Sequence, residues 1–320
     1  MTQNLSETPP AVRHVEIDEQ RAGQRLDNFL IAILKGVPRS RIYRILRRGE
    51  VRVNRGRAQP DYRLEAGDIV RLPPVRVAPR PPRAEANGFE WLAQRIFYED
   101  DHLLAVDKPA GLAVHAGSGV AVGLIEALRA LRPQAPMLEL VHRLDRDTSG
   151  CLLVAKNRPA LLGLHRQLRA GGVEKRYLAL VKGIWRGEAR EVSVALEKSR
   201  LASGERRVRA SHAGKESATR FIPGRVCGPA TLVEIDLLTG RTHQARAHAA
   251  HIGHPIAGDD KYGDWEFNRL MRTRGLKRLF LHAQRLSFAH PATGRKMDVE
   301  APLPPELSDF LERLDHAAPV

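Results

Sequence analysis

Residues 141–157, VHRLDRDTSGCLLVAKN, combine a dense group of charges with an apolar run in one short stretch. A carboxylate, Asp145, lies between two arginines, Arg143 and Arg146, and the small residues Thr-Ser-Gly follow. The pattern predicts a polar loop that turns at Gly150 and enters a buried strand. Because reactive side chains often lie on loops set on rigid strands, Asp145 is a candidate catalytic residue. The alternative is a surface loop in which this carboxylate only pairs with its neighbouring arginines.

The charge balance of the chain indicates an anionic partner. The 320 residues include 52 Lys and Arg against 37 Asp and Glu, a formal net charge of +15. Residues 21–71 alone hold 13 Lys and Arg against 5 Asp and Glu, a net of +8. A solvated surface normally mixes the two signs, so this concentration favours binding to the phosphate backbone of a nucleic acid.

The sequence favours a soluble protein in a reducing compartment. The first fifteen residues lack the apolar core of a signal peptide, and the nearest apolar run, residues 29–34, is far too short to span a bilayer. Cys151 and Cys227 have no CxxC partners, which argues against a zinc knuckle and against a disulfide framework. We therefore expect a cytoplasmic protein with no membrane contact, and a monomer by default.

Residues 17–75 are predicted to form a small module of two helices and short strands. Apolar residues between positions 26 and 34 recur at i, i+3, i+4, i+7 and i+8, the spacing of one helix face. A second helix follows Ser40 and is closed by Gly49. Aromatic residues are sparse there, so we expect recognition of RNA shape and phosphate rather than base stacking. The candidate RNA-binding residues are Arg39, Arg41, Arg44, Arg47, Arg48, Arg52 and Arg55.

A change of composition separates this module from the rest of the chain. Residues 73–88 hold five prolines, which favours an extended, semi-rigid spacer. We place the linker at residues 76–88 and a catalytic domain at residues 89–320. Segments typical of strands dominate between residues 96 and 300, with few helices, which suits an α+β domain.

Two patterns that suggest a cofactor or a metal do not meet the requirements for one. Glycines at positions 117, 119 and 123 miss the spacing of the dinucleotide-binding GxGxxG motif by one residue. A cluster of histidines is spaced so that a helix would not converge the side chains on one point, and no HExxH motif accompanies it. The cluster consists of His243, His248, His251 and His254. We therefore expect no metal and no cofactor.

The motif HRLDRDTSG at residues 142–150 resembles the HRLDxxTSG signature of the large-subunit pseudouridine synthases, the RluA/RluC/RluD family, and within it the RluC-type branch. The N-terminal module is similar to the S4 RNA-binding domain. The resemblance covers residues 21–303. Four further stretches are similar to family motifs, namely DKPAG at 107–111 (with Asp107 in place of the usual Asn), KRY at 175–177, GRTHQ at 240–244 and LFLHA at 279–283.

The resemblance implies roles for particular residues. It makes Asp145 the essential catalytic carboxylate, and it implies that Arg241 pairs with this group and favours its ionised form. It implies that Tyr177 packs against the target base and that Leu281 contributes to an apolar wall beneath it. Arg143 is expected to enter the RNA near the position that the target base vacates.

The resemblance also implies a fold and a reaction. It implies a catalytic domain built on a largely antiparallel mixed sheet, which isomerises uridines of 23S ribosomal RNA or a large-subunit precursor to pseudouridine without a cofactor. The carboxylate either attacks C1′ or removes the C2′ proton, and the sequence leaves both routes open, as it leaves open which uridines are modified. The alternatives are the same chemistry on tRNA or at other rRNA sites, a non-catalytic RNA-binding factor for ribosome assembly, and a metallohydrolase.

Overall fold

The structure is a computed structural model that divides into two compact units, residues 1–85 and residues 86–320. Most of the proposed linker and the glycines at positions 117 and 119 lie outside the described residues. The residues that the structure describes are 11–19, 21–34, 36–75, 88–116, 122–200, 206–211 and 213–316.

The first unit packs two helices against a three-stranded antiparallel sheet of order β1-β3-β2. Leu26 and Leu30 on the first helix and Ile42 on the second are fully buried, together with Val70 and Leu72 of the central strand. The predicted helical apolar face therefore forms the core of this unit. Its elements are β1 (Arg13–Glu16), α1 (Leu26–Ile33), α2 (Arg39–Arg47), β2 (Arg52–Val53) and β3 (Ile69–Leu72).

The arginines proposed to bind RNA all lie on the surface of this unit. The seven side chains from Arg39 to Arg55 are exposed on α2, on β2 and on the turn that follows it. Asn54 and Arg55 form that turn, with φ angles of 48° and 68°, and Val53 and Gly56 exchange backbone hydrogen bonds across it. The tight turn places Arg55 at the tip of the hairpin.

The second unit is built on one large mixed sheet, and its helices pack on both faces. Its elements are a 3-10 helix (Glu90–Arg95), β4 (Ile96–Glu99), β5 (Leu103–Lys108), α3 (Leu124–Leu131), β6 (Glu139–Leu140), β7 (Ser149–Ala155), α4 (Arg158–Ala170), β8 (Glu174–Lys182), β9 (Arg190–Ser193), β10 (Leu196–Arg200), β11 (Arg206–Ala210), β12 (Ala218–Cys227), β13 (Ala230–Leu237), α5 (Gln244–His251), α6 (Trp265–Thr273), β14 (Leu281–Ala289), β15 (Lys296–Glu300) and α7 (Pro305–His316).

The large sheet is largely antiparallel, as expected. Its strand order is β4-β5-β7-β14-β8-β13-β12-β9, with β6 paired to β7 and β15 paired to β14. Within the described residues, β7 and β14 form the parallel pair of this sheet, and the remaining neighbours run antiparallel. Strands β10 and β11 form a separate antiparallel hairpin.

Strand β7 lies inside the sheet and is covered on both faces. Leu152 and Val154 pack with the residues of α3, whereas Leu153 and Ala155 pack with α4 on the opposite face. A strand buried on both faces has no polar side to alternate with, which explains why this segment is a continuous apolar run. Among the residues that the structure describes, no helix is long and apolar enough to cross a membrane.

Candidate active site

The loop between β6 and β7 carries Asp145 and is anchored by the side chain of Lys108, which is fully buried at the end of β5. Its Nζ donates to the backbone carbonyls of Pro109 at 2.8 Å, Leu112 at 2.9 Å and Arg146 at 2.9 Å. Burial lowers the pKa of Lys108 to about 7, but three carbonyl acceptors match the three N–H donors of the ammonium form. The lysine thus ties the loop that carries Asp145 to the loop after β5.

The Thr-Ser-Gly sequence after Asp145 is required by the close approach of β7 to β14. Gly150 has a φ of 113°, and a Cβ atom built there would lie 2.2 Å from the carbonyl oxygen of Ala283. Ser149 is buried next to it, where its Oγ accepts from Arg278 Nη2 at 2.6 Å and lies 2.9 Å from Nδ1 of His282. Only a small residue followed by glycine fits this junction.

The carboxylate of Asp145 is paired with Arg246, on the first turn of α5. Nη1 of Arg246 donates to Oδ2 of Asp145 at 3.1 Å, while its Nε and Nη2 both donate to Asp259 at 2.7 Å. The side chain of Arg246 is 5% exposed and that of Asp259 is 0% exposed, whereas Asp145 is 25% exposed. Asp145 is therefore held at one oxygen by a buried cation and is itself partly exposed to solvent.

The buried pair keeps both of its charges despite the cost of desolvation. Burial opposes the charged forms, but the hydrogen bonds between the two groups outweigh it, so the pKa of Arg246 is raised and that of Asp259 is lowered. The backbone N–H groups of Lys261 and Tyr262 add further hydrogen bonds to Asp259. Arg246 thus stays a fixed cation beside Asp145.

The prediction that Arg241 pairs with Asp145 is wrong. Arg241 is exposed in the loop before α5, where its Nε donates to the carbonyl of Glu216 at 3.1 Å. The helix begins at Gln244 and turns Arg246 inward instead. No local pattern in the sequence distinguishes the two arginines, because the partner that holds Arg246, Asp259, lies thirteen residues further along the chain.

Tyr177 and Leu281 lie on neighbouring strands, β8 and β14, close to the catalytic loop. Both side chains are buried, and both belong to the same apolar cluster as Leu144. Burial raises the pKa of Tyr177, and the charge of Asp145 raises it further, so the phenol stays neutral. Tyr177 therefore lies near the carboxylate of Asp145, and Leu281 belongs to the same apolar cluster on the neighbouring strand.

The other charged residues of the loop face outward. Arg143 is exposed, two residues before Asp145. Asp147 accepts from Nε of its neighbour Arg146 at 3.0 Å, and both side chains are more than 40% exposed. Asp147 is therefore engaged at the surface, whereas Asp145 is turned towards Arg246.

Sequence reasoning missed a histidine at the site. His243, at the N-terminus of α5, places Nε2 at 3.8 Å from Oδ1 of Asp145 and Nδ1 at 2.9 Å from the hydroxyl of Tyr262. The residue was considered only as a member of a histidine cluster. A better signal was its position in the GRTHQ stretch at residues 240–244.

Three of the four histidines of that cluster, His243, His248 and His254, make separate contacts. His248 is buried and bonds to Thr219 Oγ1 at 2.9 Å, whereas the ring of His254 stacks on Trp185 with centroids 4.5 Å apart. Within the described ranges, no group of three or more His, Cys, Asp or Glu side chains is arranged to hold a metal ion.

Comparisons with known proteins agree on one family. Residues 102–251 match the family described as RNA pseudouridylate synthase, and residues 24–70 match the S4 domain. The chain is 56% identical to the Ribosomal large subunit pseudouridine synthase C of Escherichia coli, over 96% of this chain and 98% of that protein. It is 55% identical to the protein of the same name from Pasteurella multocida, over 95% of this chain and 94% of that protein.

Solved structures show the same fold at lower identity. Human RNA Pseudouridylate Synthase Domain Containing 4 is 27% identical, with a TM-score of 0.57 over 73% of this chain and 98% of that chain. Human RNA Pseudouridylate Synthase Domain Containing 1 is also 27% identical, with a TM-score of 0.54 over 70% of this chain and 95% of that chain.

Proposed function

This chain belongs to the RNA pseudouridylate synthase family, and on that premise we propose that it isomerises specific uridines of 23S ribosomal RNA to pseudouridine. The relatives named for the large ribosomal subunit match it almost from end to end, including the S4 domain. Substrate choice in such enzymes depends on surfaces beyond the catalytic loop. A match of this extent therefore supports the same class of RNA substrate.

The observation that carries the proposal is the pairing of Asp145 with a buried cation. The reaction breaks the bond from C1′ to N1 of uridine, turns the base and joins C1′ to C5, with no net oxidation or reduction. It needs one carboxylate beside the sugar, and Arg246 fixes that of Asp145 by donating to its Oδ2. In one route Asp145 attacks C1′ while the uracil leaves with the electron pair of the C1′–N1 bond, and the carboxylate leaves when C5 bonds to C1′. In the other route Asp145 removes the C2′ proton as the base leaves, and it returns that proton when C5 bonds to C1′. In both routes C5 then loses its hydrogen and N1 gains one.

The apolar side chains on β8 and β14 suit the stage at which the base is detached. A free uracil has to turn without escaping, and water has to be kept from C1′. Tyr177 and Leu281 offer a neutral ring and an aliphatic side chain against which a flipped uracil packs. Moving the target uridine out of its base stack costs a few kcal/mol, and packing against these side chains offsets part of that free energy.

The exposed arginines supply binding to the RNA backbone. Those on α2 and in the β2 turn contact phosphates, and Arg143 fills the gap that the target base leaves. Phosphate contacts position the RNA without reading its sequence. The linker (residues 76–88) joins the S4 module (residues 17–75) to the catalytic domain (residues 89–320). Once the S4 module has bound RNA, this tether would raise the effective concentration of that RNA at the catalytic domain.

We propose that the protein acts in the cytoplasm as a monomer, on free 23S rRNA or a large-subunit precursor, without a metal or a cofactor. The isomerisation is redox-neutral and needs only the carboxylate and its surroundings. Asp145 is paired with the buried Arg246 and lies near Tyr177, and this supports an enzyme over a ribosome-assembly factor that only binds RNA.

The test is pseudouridine mapping on 23S rRNA from cells that lack the protein, complemented by wild type or by Asp145→Asn. We expect specific uridines to lose their modification and only the wild type to restore it. Unchanged 23S rRNA would contradict the proposed substrate, and tRNA from the same cells would then be mapped. Restoration by Asp145→Asn would contradict the catalytic assignment and favour a role in assembly.

A further inference from the structure

The carboxylate of Asp145 is hydrogen-bonded at only one of its two oxygens among the contacts of the described residues. Oδ2 accepts from Arg246 at 3.1 Å, and the other donors of that guanidinium are engaged by Asp259. Oδ1 faces Nε2 of His243 at 3.8 Å, beyond the range of a hydrogen bond. Because the terminal torsion of an aspartate is broad, a carboxylate held at one oxygen needs a second partner to fix its plane.

The hydroxyl of Tyr262 sets the orientation of the imidazole. It accepts the backbone N–H of Val208 at 2.8 Å, so its own hydrogen is available to Nδ1 of His243, 2.9 Å away. A neutral imidazole that accepts at Nδ1 carries its hydrogen on Nε2, the atom that faces Asp145. These contacts aim an N–H donor at the open oxygen of the carboxylate.

The backbone holds His243 in a conformation that costs free energy. Its φ is 53°, in the left-handed region that residues other than glycine rarely adopt. The turn is supported by Gln244, whose Oε1 accepts from the N–H of Arg241 at 2.9 Å, and by Ala247, whose N–H bonds to the carbonyl of His243 at 2.9 Å. Strain that the surroundings enforce is common where a side chain has to be aimed.

We propose that His243 is a positioning residue for Asp145. When bound RNA draws the two side chains together, Nε2 of His243 donates to Oδ1 of Asp145, and Tyr262 fixes the orientation of the imidazole ring. Catalytic hydrogen bonds are often long in the absence of substrate and shorten in the complex. The inference rests on the proposed catalytic role of Asp145 and adds a second group that sets the plane of its carboxylate.

The charges near His243 are those of Asp145 on the loop before β7, Arg246 on α5, and Asp259 and Lys261 on the loop after α5. Burial is the largest effect and lowers the pKa of His243, and Arg246 and Lys261 lower it further. Asp145 and Asp259 act in the opposite direction without reversing the shift. The phenol of Tyr262 is neutral as well, because burial raises its pKa.

Single-turnover formation of pseudouridine on a 23S rRNA transcript tests the proposal, with the Kd for the same RNA measured separately. We expect His243→Asn to slow the reaction by about 10- to 100-fold, the usual cost of losing an orienting partner, with an unchanged Kd. His243→Gln, whose amide nitrogen reaches further, should recover part of the rate. His251→Asn, at the exposed end of the same helix, is the matched control and should react at the wild-type rate.

The contribution of Tyr262 is measured with a double-mutant cycle. Tyr262→Phe removes only the hydroxyl and should slow the reaction less than His243→Asn does. In the double variant it should cause no further loss, because both changes remove the same aimed donor. Nitrogen-15 NMR of the wild type should find the hydrogen of His243 on Nε2.

Four results would overturn the proposal. They are a wild-type rate in His243→Asn, a His243→Gln variant as slow as His243→Asn, fully additive losses in the double variant, and a hydrogen on Nδ1. A wild-type protein that forms no pseudouridine on this RNA would instead refute the proposed function, and this proposal with it. The two kinds of failure are therefore distinguishable.

Discussion

The two units of this protein use arginine in opposite ways. In the first unit, arginines on α2 and in the β2 turn lie exposed to solvent. In the second unit, Arg246 is 5% exposed and donates to two carboxylates, Asp145 and Asp259. Exposed charges attract a polyanion collectively, so each is replaceable and all are screened by salt. A buried charge acts through its geometry, and the loss of one partner leaves the other uncompensated.

The largest effect is expected where the buried network meets the substrate. Asp145→Asn keeps the shape of the side chain but removes its charge, so the single-turnover rate should fall by at least about 1,000-fold, as for other lost catalytic groups. The Kd for the RNA should stay the same. Asp147→Asn is the matched control at the surface of the same loop, and a comparable loss there would contradict the assignment.

A change deeper in the network should destabilise the fold. Asp259→Asn leaves the guanidinium of Arg246 without its bidentate partner, which should lower the free energy of unfolding by about 3–5 kcal/mol. Urea unfolding followed by tryptophan fluorescence measures this. Asp260→Asn, the next residue, has an 83% exposed side chain and should have almost no effect. Equal losses in the two variants would remove the contrast between buried and exposed charges.

Acid should act on the second unit through His142. Its Nε2 accepts the N–H of Leu153 at 3.2 Å, and burial lowers its pKa to about 4. The pKa of a histidine in the unfolded chain is about 6.5, so below this pH His142 is protonated in the unfolded chain but neutral in the folded one. The free energy of unfolding therefore falls as the pH drops from 6.5 to 4, by up to about 3 kcal/mol. Urea titrations across that range should show the loss in wild type and in His251→Gln, and a smaller loss in His142→Gln.

The smallest effect is expected for single arginines of the first unit. Arg44→Gln and Arg47→Gln should each weaken RNA binding by about 1 kcal/mol and flatten the salt dependence of log K by about one unit. The single-turnover rate at saturating RNA should not change. Arg313→Gln, on the exposed side of α7, is the control. A slower reaction at saturating RNA would show that these arginines do more than bind.

The difference between the units also explains which features the sequence predicted. The arginines of α2 are predicted to bind RNA, and they lie on the surface because a helix with one apolar face leaves no other place for them. Strand β7 was predicted from its apolar run at residues 151–155, and the structure extends it to Ser149. Periodicity and composition are local signals, and they were sufficient for elements whose surroundings are either solvent or core.

The partners of buried charges were not predictable in the same way. The choice between Arg241 and Arg246 depends on where α5 begins and on Asp259, thirteen residues further along the chain. The orientation of the His243 side chain depends on the positive φ of its backbone and on its hydrogen bond with the hydroxyl of Tyr262. These features arise from the packing of separate loops, and no periodic pattern in the sequence encodes them.

The parallel pairing of β7 with β14 has a consequence for synthesis of the protein. Ser149 and Gly150, just after the catalytic loop, pair with His282 and Ala283, which are translated 133 residues later. At a typical rate of about 5–20 residues per second, the ribosome makes that later segment several seconds after Asp145 has been added. We therefore expect a nascent chain to hold an exposed S4 module well before its active site is ordered, so that RNA binding precedes catalytic competence.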